Sequence, residues 1–127
     1  MTADPKRIYQ QQATTTASPA QLVLTLYDAA IAAVERAHTA AVEQPDGWRD
    51  TLHRESTQAQ RIVTELAGSL NHDAGEIAEN LAALYGFCLD RLVESNVRKA
   101  DVELDAVRST LQTLRDAFDD AARQVEP

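Results

Sequence analysis

Two pairs of side chains in this chain have spacing suited to metal chemistry. Glu35 and His38 stand three apart, and Asp50 and His53 repeat the spacing with a shorter acid. Residues three apart share a face of a helix. In carboxylate-bridged di-metal bundles, two helices each supply a Glu-x-x-His pair, two others each add a Glu, and all project into the middle. Here the two pairs flank Gln44-Pro45-Asp46-Gly47, a turn signal, so both belong to one end of any bundle. The other carboxylates the pattern needs, Glu79 and Glu94, fall off the apolar stripe of their own segment. Every ligand of such a site has to be present and directed inward. These residues read as charged positions near a loop, and no metal site is expected.

The remaining reactive types are isolated. Cys88 falls on an apolar stripe, where a buried, inert thiol is the usual outcome. His72 lies in a stretch rich in Asn, Asp and Gly and reads as a loop residue. The chain contains no phosphate-cradling Gly loop, no His-Glu-x-x-His and no nucleophile elbow. Neither a cofactor nor an enzymatic activity is expected.

Composition narrows the class. The 127 residues suffice for one domain with a core and are too few for two. Net charge is −8, and an acidic surface repels phosphate backbones and anionic lipid heads, so nucleic-acid binding and membrane insertion are disfavoured. A single cysteine forms no internal disulfide, which fits a reducing compartment. The opening Met1-Thr-Ala-Asp-Pro-Lys-Arg7 has no apolar signal region, and no run approaches the roughly 18 apolar residues of a membrane span. A cytoplasmic location is expected.

The elements around these residues are helical. Residues 1–17 are polar and rich in Gln and Thr, and read as a mobile or short-helical arm carrying two isolated apolar residues, Ile8 and Tyr9. A helical domain over 18–127 follows. Ser18 suits an N-cap, Pro19 the first helical position, and Gln21 completes a capping box. The pattern predicts helices over 19–42, 48–70, 75–98 and 102–124, with Asp73 and Glu76 as a cap pair for the third. Leu52, Ala59, Ile62, Val63, Leu66 and Leu70 hold helical spacing in the second. Ile77, Leu81, Leu84, Cys88 and Leu92 do so in the third, with Tyr85, Leu89 and Val93 on its flank. Leu104, Val107, Leu111, Leu114 and Phe118 step by three and four, the seam of a heptad pattern. Four amphipathic helices with short connections make an all-α, antiparallel up-down four-helix bundle.

The first helix is apolar on more sides than a bundle core uses. From Ala20 to Val34 its only charge is Asp28. Leu22, Leu26, Ala29 and Ala33 form one stripe; Val23, Tyr27 and Ile31 form another. The small residues of the first suit close helix packing, so the Leu-Ala stripe is expected inside and the Val23–Tyr27–Ile31 stripe outside, facing a partner. An acidic bundle without an assembled active site and with an over-apolar helix suits a helix-in-groove binding module.

Several strings carry a resemblance. Tyr9-Gln-Gln-Gln12, Thr16-Ala-Ser-Pro-Ala-Gln-Leu22 and Leu24-Thr-Leu-Tyr-Asp28 resemble the opening of the FliS family of flagellar secretion chaperones. Ala59-Gln-Arg-Ile62 with Glu65-Leu66 and Ser69-Leu70, Glu76-Ile-Ala-Glu-Asn-Leu81 with Leu84-Tyr85, and Arg91-Leu-Val-Glu94 followed by Asn96 resemble later segments of that family in the same order. The chain departs from the family pattern at Thr25, Ala29 and Phe118, where Met, Gly and Trp are usual. The resemblance implies a client, the disordered C-terminal segment of flagellin, and delivery to flagellar export gate components; a generic helical adaptor for another amphipathic partner is the alternative, and a homodimer is left open. Client contacts are expected from Ile8 and Tyr9 in the arm, from Val23, Tyr27 and Ile31 on the first helix, and from Asn80, Leu81, Tyr85 and Asn96 on the third.

Overall fold

A computed structural model describes residues 18–125, with the Val125 side chain left aside. Four helices follow one another: α1 (Pro19–Glu43), α2 (Trp48–Gly68), α3 (Glu76–Arg98) and α4 (Leu104–Val125), with one turn of 3-10 helix at His72–Ala74 ahead of α3. The short connections force consecutive helices to run antiparallel. α1 packs against α2 and α4, and α3 packs against the same two, so the order around the bundle follows the chain. The all-α, antiparallel architecture expected from the periodicity is the one observed. Among the described residues, no helix is long and apolar enough to cross a membrane.

Local chemistry accounts for the helix ends. Gln21 N donates to Ser18 Oγ at 3.1 Å and Ser18 N donates to Gln21 Oε1 at 2.9 Å, closing the capping box around Pro19. α1 stops where Gln44 turns left-handed (φ 51°), and Gly47 (φ 78°) takes the chain into α2. α3 opens differently from the expected Asp73–Glu76 cap. Asn71 Oδ1 accepts from Asp73 N at 3.1 Å, which commits Asp73 to the 3-10 turn, and Gly75 (φ 68°) takes the N-cap position without a side-chain bond.

Each helix contributes one seam to the core. On α4 it is Leu104, Val107 and Leu111, fully buried, continuing into the partly buried Leu114 and Phe118. On α2 it runs through Leu52, Ser56, Ala59, Val63 and Leu66. Ser56 is tolerated there because its hydroxyl donates to His53 O at 3.2 Å. The seam of α1 is Val23, Tyr27, Ala30, Val34, Ala37 and Ala41, with Ile31 and Ala33 buried beside it. This reverses the expected faces of α1: the Leu-Ala stripe was expected inside, yet Leu22 is 55% exposed while Tyr27 is 3% exposed. Of the expected inner stripe Ala33 is fully buried and Leu26 partly so; the other small residues of the close packing, Ala30, Ala37, Ala40 and Ala41, lie off it.

α3 also turns relative to the expectation. Its seam is Ala78, Leu81, Tyr85, Cys88, Leu92 and Ser95, alternating steps of three and four. Ile77 and Leu84, expected in the core, are 67% and 38% exposed. Ser95 closes the seam: its Oγ accepts from Val102 N at 3.0 Å and pins the chain reversal into α4.

Candidate binding surface

Three aromatic side chains meet toward the end of the bundle where α1 and α3 begin and α4 finishes. The Tyr27 and Tyr85 hydroxyl oxygens are 2.5 Å apart, joining α1 to α3 across the bundle's diagonal. The Phe118 ring of α4 lies 6.4 Å from the Tyr27 ring, tilted by 45°, within the range of favourable aromatic pairs. Burial raises the pKa of Tyr27 above its ordinary 10.0, and its bond to Tyr85 adds to that. Burial likewise raises Tyr85, while the bond to Tyr27 acts in the opposite sense. Cys88, one turn further along α3, is pushed up to about 11 by burial. The cluster is therefore uncharged near neutrality and its thiol is not a nucleophile.

Beside this cluster α3 carries a second apolar stripe. Ile77, Asn80, Leu84, Phe87 and Arg91 succeed one another at steps of three and four, next to the core seam. Arg91 Nη1 lies 3.8 Å from Glu103 Oε2, just ahead of α4, which shows that this flank faces the α4 side. The α3–α4 seam is the least extensive of the four, and along it Leu84 and Phe87 stay 38% and 37% exposed. Leu22 is exposed at the start of α1 but shares the flank of Arg36, which pairs with Glu55 of α2, and so lies away from the α3–α4 seam. An exposed apolar stripe beside the least extensive seam is a candidate surface for an amphipathic partner.

The expected contact residues are distributed unevenly over this region. Tyr27 and Tyr85 are brought together, and Leu81 and Val23 lie partly buried one helical turn before them. Tyr27 and Ile31 are buried rather than outward-facing, contrary to the expected orientation of their stripe. Asn80 is exposed on the α3 stripe. Asn96 stands sixteen residues further along α3, about 24 Å away, at the other end of the bundle. There its Nδ2 is 3.1 Å from His53 Nδ1 and its Oδ1 accepts from Lys99 Nζ at 2.5 Å. Ile8 and Tyr9 lie outside the described residues. Phe87 escaped the sequence reading because it lies off the Cys88 seam; its spacing from Leu84 was the available signal.

The di-metal pattern is not assembled. His38 Nδ1 lies 3.2 Å from Asp101 Oδ2, near enough for an ion pair though out of line for a hydrogen bond. His53 turns instead to Asn96. Among the described residues, no three His, Cys, Asp or Glu side chains are grouped to hold a metal ion. An open cleft of about 440 Å³ between α1 and α2 is lined by Glu35, Arg36, Thr39, Arg54 and Glu55. Arg36 Nε and Glu55 Oε1 pair there at 3.0 Å.

A four-helix bundle with an exposed apolar stripe along α3 is a candidate binding scaffold. The comparisons with known proteins give it a family. Residues 1–125 match the family described as flagellar protein FliS. The chain is 30% identical over 118 residues to the flagellar secretion chaperone FliS of Bacillus subtilis (strain 168), covering 93% of this chain and 86% of that one. It is 31% identical over 121 residues to the flagellar secretion chaperone FliS of Salmonella typhimurium (strain LT2), covering 92% of this chain and 83% of that one. The chain belongs to the FliS family.

Proposed function

We propose that this protein is a cytoplasmic export chaperone that binds the disordered C-terminal segment of flagellin, holds it from polymerising, and passes it to the flagellar export apparatus. It acts by binding and not as an enzyme. The match to the FliS family over residues 1–125 carries this reading. The physical logic is consistent with it. Flagellin tails are amphipathic and assemble through their apolar faces, so a helical scaffold that covers those faces keeps the client unassembled. Ordering a disordered segment offsets part of the contact energy, which allows a large contact to release when export begins.

The proposed contact surface follows the α3 stripe, Ile77, Asn80, Leu84 and Phe87, with Leu81 beneath it and Val23 contributing from α1. Tyr27, Ile31 and Tyr85 form its floor. Asn96 links α2 to α3 at the far end of the bundle, so its part in client binding is indirect. A shielding role for Ile8 and Tyr9 in the absence of client is tested by deleting residues 1–12, which should then raise binding of a dye specific for exposed apolar surface. The function is tested by co-purification with a flagellin C-terminal fragment. A stable complex is expected, and no complex at micromolar concentrations, or preferential capture of an unrelated amphipathic helix, overturns the reading.

A further inference from the structure

The Tyr27–Tyr85 contact leaves one polar group without a use. Two hydroxyls facing each other satisfy one proton, because one oxygen donates while the other accepts. The accepting tyrosine keeps a proton of its own, and neither hydroxyl has another hydrogen-bond partner among the described residues. Both side chains are buried, at 3% and 4% exposure. A buried donor left without an acceptor is unfavourable, whereas replacing both partners by apolar groups of the same shape is nearly neutral or stabilising. Two phenylalanines would thus serve the free bundle as well or better. The pair lies on the diagonal between α1 and α3, against Phe118, and the α3–α4 seam, the least extensive of the four, runs alongside with Leu84 and Phe87 on its flank.

We infer that the uncommitted hydroxyl of the Tyr27–Tyr85 pair is a recognition donor, offered to a backbone carbonyl of the flagellin segment bound in the α3–α4 seam. This rests on the proposed function and adds a polar specificity point to an otherwise apolar surface. The carbonyl it takes is one not engaged within a helix of the client, such as those in the last turn of a helix or in an extended stretch. An apolar seam with one buried donor discriminates strongly, because a segment without an acceptor at that register leaves the donor unpaired. Either tyrosine can supply the proton, since the donor and acceptor roles within the pair can exchange.

The test compares the full chain with Tyr27→Phe, Tyr85→Phe and the double variant, reading melting temperature and affinity for a flagellin C-terminal fragment. The double variant should melt at or above the unaltered protein and bind about tenfold more weakly. Each single variant keeps one hydroxyl and should lose less. Equal binding by the double variant and the unaltered protein overturns the recognition role while leaving the chaperone function standing. A double variant that loses its fold or melts much lower also overturns it, since the pair would then be structural. Failure of the unaltered protein to bind the fragment overturns the chaperone reading and this inference together.

Discussion

Leu22 and Tyr27 stand five residues apart on α1 and face opposite ways, the leucine 55% exposed and the tyrosine 3% exposed. Their truncations should therefore separate a core position from a surface one. Tyr27→Ala removes a buried ring packed against Phe118 and should cost about 3–5 kcal/mol of unfolding free energy. Leu22→Ala removes exposed surface and should change stability by no more than about 0.5 kcal/mol. Urea denaturation of the two variants checks the assignment. A Tyr27→Ala protein of undiminished stability would return Tyr27 to the outer face.

That pair also shows what was legible in the sequence and what was not. The four helices, the Ser18–Gln21 capping box and the α4 seam follow from short-range rules: capping chemistry, turn residues and a single unambiguous apolar stripe. The faces of α1 did not follow. Its two apolar stripes are offset by one residue, a rotation of about 100°, and composition does not distinguish them. Which stripe points inward is decided by α2 and α4, a tertiary fact. On α3 the difficulty was different. Ala78 and Ser95 belong to the seam but are small or polar, whereas Ile77 and Leu84 are large and apolar but lie on the flank. Weighting residues by hydrophobicity turned the predicted face toward the flank. Tyr27 was accessible from its apolar stripe and the Tyr85 segment from the resemblance, without either indicating that the two hydroxyls meet.

Two helix C-termini carry left-handed residues other than glycine: Gln44 (φ 51°) after α1 and Lys99 (φ 50°) after α3. That conformation costs an L-residue roughly 1–2 kcal/mol, part of which glycine returns through its greater freedom when unfolded. Gln44→Gly should stabilise the protein by about 0.5–1 kcal/mol and raise the melting temperature by a few degrees. Lys99→Gly should gain less, because Lys99 Nζ donates to Asn96 Oδ1 and that bond is lost. Calorimetry of the two variants gives the order; a destabilised Gln44→Gly protein would show that its side chain contributes more than the backbone strain costs.

Stability should fall in alkali in a defined window. Cys88 ionises near its ordinary 9.0 when unfolded and near 11 when folded. Between those values the unfolded chain has lost a proton that the folded one keeps, so rising pH favours unfolding. Stability is fully present below pH 9 and declines toward pH 11, by on the order of 2 kcal/mol from this residue. Tyr27 and Tyr85 act in the same sense above their ordinary 10.0. Denaturant midpoints at pH 8, 9, 10 and 11 should decline progressively. The Cys88→Ala protein, though less stable throughout, should show a shallower decline between pH 9 and 10. Parallel declines in the two proteins would remove Cys88 from the explanation.

The α3 stripe predicts where binding energy resides. Leu84 and Phe87 lie one turn apart on the flank facing α4, and each remains more than a third exposed although the core lies directly beside it. Val97, on the same helix, is 74% exposed but stands ten residues beyond Phe87, about 15 Å toward the other end of the bundle. Exposure alone thus does not separate the three; position along the α3–α4 seam does. Full burial of a large apolar side chain is worth about 1.5–3 kcal/mol, and each contact residue is half-buried before binding, so about half of that remains to be gained. Leu84→Ser and Phe87→Ser should each weaken binding of a flagellin C-terminal fragment by about tenfold or somewhat less, which corresponds to about 1 kcal/mol. Melting temperature should move little, since neither side chain belongs to the core seam. Val97→Ser should leave both quantities unchanged. Isothermal titration of the three variants distinguishes a localised surface from a client that covers α3 along its whole length: a loss at Val97 equal to that at Phe87 would extend the contact to the far end of the bundle and remove the α3–α4 seam from its special position.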